Sequence, residues 1–164
     1  MNEPVWISAL AGIVGAIVGA IASLLPAWVI ESRRVKHEAE LVEASLISEI
    51  LAIADIAKER KYLESLADAI RYLEAQPNGA VIPFSVNIPA HYSRVYQANA
   101  YRIGTIEQSK ATDIIRFHQF IDAVVQDLME GGALASGGDL EAFRENFQIL
   151  SRAMEIARKY ANGT

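Results

Sequence analysis

Apolar residues fall along this chain first as a solid block and then as stripes. Residues 5–30 are 26 consecutive positions without Asp, Glu, Lys, Arg or His, and twelve of them are Val, Ile or Leu. As a helix the block extends ~39 Å, more than a hydrocarbon core of ~30 Å requires. At roughly −0.4 kcal/mol for each large aliphatic residue, insertion into lipid gains about 5 kcal/mol before Gly, Ser and Pro reduce it. A core helix apolar all round needs protein on every side, and only 134 residues follow. A cleaved signal fits poorly: residues 1–4 carry Glu3 and no Lys or Arg, and the apolar block is about twice the usual length of a signal core. The pattern predicts a tail and an uncleaved transmembrane helix over residues 1–30.

The flanks set an orientation. Arg33, Arg34 and Lys36 crowd the C-terminal end of the block, whereas the tail offers only its amine and Glu3. The positive side stays in the cytoplasm, so the expectation is a single-pass protein of the cell inner membrane, N-terminus outside and C-terminal domain cytoplasmic. Trp6 and Trp28 bracket the span at headgroup level, and Pro26 is placed to kink its last turn. Within the span Ser8, Gly12, Gly15, Gly19 and Ser23 recur at steps of three and four. Helices associate in lipid by close backbone approach, so this stripe reads as a packing seam. With one span per chain, its partner is another copy or a different membrane protein. The seam has no charged residue, and nothing in it points to an ion pathway.

Beyond the block the periodicity becomes helical and one-sided. Residues 27–76 contain neither Gly nor Pro. A single helix of that length would reach ~75 Å, against ~35–40 Å for a compact domain of this size, so part of it is expected to be a stalk. Residues 31–45, rich in both signs of charge, form that stalk; the apolar stripe widens at Leu46, and residues 46–164 are expected to form the bundle. Gln76-Pro77-Asn78-Gly79 ends the first helix. Residues 80–89 hold Val81, Ile82, Phe84, Val86 and Ile88 about Pro83 and Pro89 and read as a packed, extended and partly apolar loop. Pro89 opens a short helix through Ile103 that Gly104 closes, and Thr105 with Gln108 has capping-box spacing for the next, with Ser109 as a competing start. Ile114, Phe117, Ile121, Val124 and Leu128 make its core stripe. Gly131-Gly132 stops it, and the loop 131–138, with four glycines, reads as the most flexible stretch. Asp139 caps a last helix whose Leu140, Phe143, Phe147, Leu150, Met154, Ala157 and Ala161 follow an a/d pattern. The fold class is therefore all-α: an N-terminal transmembrane helix leading through a helical stalk into a small antiparallel bundle of three long helices and a short one.

Composition narrows the chemistry. A mean hydropathy of +0.18 in a chain that is 21% charged requires segregation of the two kinds of residue. A net charge of −5 argues against nucleic-acid binding, and the absence of Cys removes disulfides, thiolate metal sites and thiol nucleophiles. His37, His91 and His118 do not pair at ligand spacing. His118 and Asp122 stand one helical turn apart and are a conceivable carboxylate–histidine site, but His118 flanks the core stripe and reads as a structural residue; Asp55 and Glu59 share a turn as many solvated carboxylates do. No HExxH, Gly-x-Ser-x-Gly, phosphate-loop or dinucleotide fingerprint occurs. No catalytic residue, metal or cofactor is expected.

The densest polar and aromatic cluster lies on the short helix. Tyr92, Tyr96 and Asn99 share a face, while Arg94 and Tyr101 point elsewhere; Tyr92, Arg94, Tyr96, Asn99 and Arg102 form a candidate partner surface, the alternative being tyrosines half-buried in the bundle. The run Tyr96-Gln97-Ala98-Asn99-Ala100-Tyr101-Arg102-Ile103-Gly104, followed by Ile114-Ile115-Arg116-Phe117, resembles a family of small single-pass bacterial and prophage membrane proteins of unassigned function. That resemblance covers residues 45–130 and implies a topology and no catalysis. The expected function is a membrane-anchored, non-enzymatic helical interaction or assembly module, partnered by the bilayer and by itself or another membrane protein. The alternatives are an oligomeric pore-forming or holin-like protein and a membrane-tethered enzyme built on His118 and Asp122.

Overall fold

A computed structural model describes the backbone of residues 5–163, with the side chains of residues 30–163 and of Ala16, Gly19 and Trp28. All regular elements among the described residues are helical: α1 (Val5–Glu59), α2 (Tyr62–Glu74), α3 (Arg94–Asn99) continued by a 3-10 turn (Ala100–Thr105), α4 (Gln108–Leu128), α5 (Ala133–Gly137) and α6 (Leu140–Ala161). The chain divides into two compact units, Met1–Leu41 and Val42–Thr164.

In the first unit the side chains of residues 31–37 are exposed, and Arg34 pairs with Glu38 one turn on at 3.1 Å. Trp28 and Ile30 are 71% and 67% exposed. Among the described residues no helix is long and apolar enough to cross a membrane. Apart from Ala16, Gly19, Trp28 and Ile30, the side chains of residues 5–30, including the seam positions Ser8, Gly12, Gly15 and Ser23, lie outside the described ones; at Gly19 an added Cβ would meet nothing within 4 Å.

The second unit holds the core. Val42, Leu46 and Ile50 of α1 are buried with Leu66 and Leu73 of α2, Ile114, Phe117, Ile121, Val124 and Leu128 of α4, and Phe143, Leu150, Ala153 and Ala157 of α6. Lys110, in the first turn of α4, reaches Glu43 of α1 at 2.5 Å, and His118, farther along α4, stands 3.8 Å from Glu49, farther along α1, so α4 runs parallel to this part of α1. Asn146 binds Asp127 at 2.9 Å and Lys159 binds Asp113 at 2.7 Å, which fixes α4 and α6 as antiparallel. Arg152 sits 4.6 Å over the Phe120 ring between those two ties. Arg144 binds Glu74 at 2.6 Å, where α2 and α6 meet.

Four local expectations are corrected. The Gly- and Pro-free run does not stay one helix to residue 76. It breaks at Lys61, which takes the left-handed conformation at φ 55° and ψ 40° and whose carbonyl then accepts from Ser65 N at 2.9 Å. The reason is phase: at 100° per residue, the stripe Leu46, Ile50, Ala57 and the stripe Leu66, Ala69, Leu73 would lie on opposite sides of a continuous helix. Turning the chain at Lys61 lets both face the same core, at a cost of about 1–2 kcal/mol for a residue with a Cβ. The short helix starts at Arg94 rather than at Pro89, after a turn in which Tyr92 N donates to Pro89 O at 3.2 Å, and it tightens into the 3-10 turn instead of ending on a left-handed glycine. The Thr105 hydroxyl donates back to Arg102 O at 2.8 Å, so the capping box does not form; Glu107 holds the N-cap position and makes no side-chain cap.

The fourth correction is the glycine-rich loop, which is built rather than slack. Leu134 of α5 is fully buried, Ile82 and Gly138 exchange two backbone hydrogen bonds of 3.0 Å, and Phe84 N and Val86 N donate to Leu134 O and Leu128 O. The extended segment 80–89 is thus clamped on every second residue along the end of α4 and α5, with Phe84 edge-on to Phe143 at 5.9 Å. A Cβ on Gly138 would stand 2.5 Å from Leu134 Cδ2, and one on Gly132 2.1 Å from the carbonyl oxygen of Gln126. These glycines permit close approach. Asp139 caps α6 as expected, accepting from Ala142 N at 2.9 Å.

Candidate functional site

The polar groups of the second unit converge where α3 crosses α1 and α4. Ser93 precedes α3 but gives it no side-chain cap. The cap comes from α1 instead: Glu49 Oε1 accepts from Val95 N and Oε2 from Tyr96 N, both at 2.8 Å, two of the first-turn donors that have no partner within the helix. The carboxylate is nearly buried, at 8% exposure, and this forked hydrogen bonding to the positive end of a helix compensates for its loss of water.

His118 of α4 lies beside this cap. Its ring is wholly buried, stacks on Tyr96 at 3.9 Å between centroids and 18° between planes, and meets Phe117 edge-on. Neither ring nitrogen has a hydrogen-bond partner, and Nε2 stands 3.8 Å from Glu49 Oε2. Burial drives the imidazole pKa down to about 4, with Asp122 acting weakly the other way. His118 is therefore neutral near pH 7, and its approach to Glu49 is no ion pair there.

Tyr92 completes the junction by donating its hydroxyl to Asp122 Oδ1 of α4. Burial and then the Asp122 carboxylate push its phenol well above the ordinary value, and the same two causes raise Tyr96. Asn99 turns its amide onto Val95 O at 2.9 Å within α3. Of the five residues of the candidate partner surface, Tyr92, Tyr96 and Asn99 are half-buried with their polar atoms or rings engaged, Arg102 is half-buried, and Arg94 is exposed. The face shared by Tyr92, Tyr96 and Asn99 is spent largely on the bundle. His118 and Asp122 share this junction, with Tyr92 on the carboxylate, while His91 and His37 are exposed and apart from it.

The same crossing walls a cavity of about 560 Å³. Its floor is the buried core: Leu66, Ile121, Val124, Val125, Leu128 and Leu150. Its mouth is exposed and polar, with Ser45, Ser48, Arg60, Asn87, His91 and Arg94. Spacing alone could not anticipate either Glu49 or the cavity, although Glu49 did carry a signal: it interrupts the apolar face of Leu46, Ile50 and Ile53 with a carboxylate. Among the described residues, no three His, Asp or Glu side chains are gathered as a metal ion requires.

Comparison with known protein families, curated proteins and solved structures finds no match for this chain.

Proposed function

We propose that this protein is a membrane-anchored, non-enzymatic helical module of the cell inner membrane. It self-associates through the seam Ser8, Gly12, Gly15, Gly19 and Ser23 and presents its bundle to the cytoplasm, as the resemblance to small single-pass proteins implies. The observation that carries the reading is the 26-residue charge-free run, bracketed by Trp6 and Trp28 and followed at once by Arg33, Arg34 and Lys36. The exposure of Trp28 and Ile30 supports it, since large apolar side chains left uncovered at the end of such a run suit a lipid boundary better than water. The open space around Gly19 supports the seam, because a packing glycine is one whose own chain leaves it free.

Cross-linking in native membranes tests the assembly. The expected result is a ladder of homo-oligomers that collapses to the single chain when Gly15→Leu and Gly19→Leu are combined, because two bulky side chains on the seam hold the backbones apart. A ladder unchanged by that pair of substitutions would exclude the seam as the contact.

A further inference from the structure

We propose that the cavity between α1, α3 and α4 is a binding site for a single-chain anionic amphiphile, an acyl chain ending in a carboxylate. Volume, walls and charge each contribute. Cavities of ~300–1,000 Å³ enclose one small molecule, and at about 560 Å³ this one suits a single acyl chain rather than a two-chain lipid. The floor is Ile121, Val124, Val125 and Leu128 of α4 with Leu66 and Leu150, side chains of the hydrophobic core with no polar group to match a polar ligand. An alkyl tail there gains about 25 cal/mol for each Å² of apolar surface removed from water.

The head group is decided at the mouth. The Arg, Lys, Asp and Glu side chains lining the cavity are Arg60, Arg94 and Glu49. Glu49 has each carboxylate oxygen committed to a backbone N–H of α3, whereas Arg60 and Arg94 are exposed; among the described residues the Arg60 guanidinium makes one long 3.4 Å contact, with the Tyr62 hydroxyl. Two guanidinium groups at the rim of an apolar hole complement a carboxylate, which each can hold by two parallel hydrogen bonds. A cationic head would meet both arginines, and a neutral one would leave their charge unused. The site goes beyond the membrane-anchor reading, because cavity and rim belong wholly to the second unit.

The test is photolabelling of the full-length chain in a non-ionic detergent, using hexadecanoate with a photoreactive group near its tail and, in parallel, the methyl ester of the same probe. Peptide mass spectrometry then locates the label. The expected result is label on residues 121–128, about tenfold less for the ester, lost with Ala52→Trp, which fills the cavity from its exposed side, and reduced to the level of the ester by Arg60→Glu with Arg94→Glu. The two arginines are exposed, so their substitution spares the fold and decides the matter even where Ala52→Trp does not fold. The proposal is overturned by label confined to residues 5–30, by equal labelling with acid and ester, or by an empty floor in every arm, as when a protein segment already fills the cavity.

Discussion

Glu49 does its work through two backbone donors 46 and 47 residues away, and this makes it the most consequential single polar residue of the bundle. Glu49→Ala leaves both N–H groups uncapped in a poorly hydrated place and should cost about 2–4 kcal/mol in a denaturant melt, with amide exchange at Val95 and Tyr96 accelerating first. Glu49→Gln, which keeps the shape and loses the charge, should cost less. His118 sets the acid limit. Its folded pKa, at about 4, is below the unfolded value near 6.5, so the unfolded chain takes up the proton first. The stability lent by the neutral ring is whole above about pH 6.5 and is lost as the pH falls toward 4, at up to about 1.4 kcal/mol per pH unit. His118→Phe keeps an aromatic ring to stack on Tyr96 without a titrating group. It should flatten the loss of stability between pH 6.5 and 4.5. An unchanged slope would show that the imidazole is not the group responsible.

At the scale of elements, glycine is the sharpest instrument. Gly138→Ala drives a methyl against Leu134 and Phe143 and should destabilise by about 1–3 kcal/mol, whereas Gly104→Ala meets nothing within 4 Å and should be neutral or mildly stabilising by thermal melt. Composition alone reads both as turn residues, and that is where reading the chain by pattern ran short. Elements with their own periodicity were legible: α4, α6 with its Asp139 cap, and the extended stretch between Pro83 and Pro89. The break at Lys61 was hidden because neither Gly nor Pro marks it, yet the half-turn phase shift between Leu46-Ile50 and Leu66-Leu73 announces it once counted. The glycine-rich 131–138 segment was misread because flexibility and close approach demand the same residue, and only the partners Ile82, Leu134 and Phe143 distinguish them. Of the site, Tyr92, Tyr96 and the His118–Asp122 pair were legible as candidates. Glu49 and the cavity arise from contacts far apart in sequence, which spacing does not encode.

At the scale of the whole molecule, a buried, well-tied bundle follows in sequence a 26-residue charge-free stretch, for which we propose a lipid surrounding. The core from Val42 onward is closed by its own residues and by ties such as Lys110 to Glu43 and Lys159 to Asp113, so the bundle needs no lipid for its own packing. Residues 5–30 hold no Asp, Glu, Lys, Arg or His, and the proposed anchor rests on that run. The most direct measurement is fractionation of cells expressing the full-length chain, with an alkaline carbonate wash and then a detergent wash of the high-speed pellet. The account predicts that the chain stays in the pellet through the carbonate and is released by detergent; recovery of the intact chain in the detergent-free supernatant would contradict it.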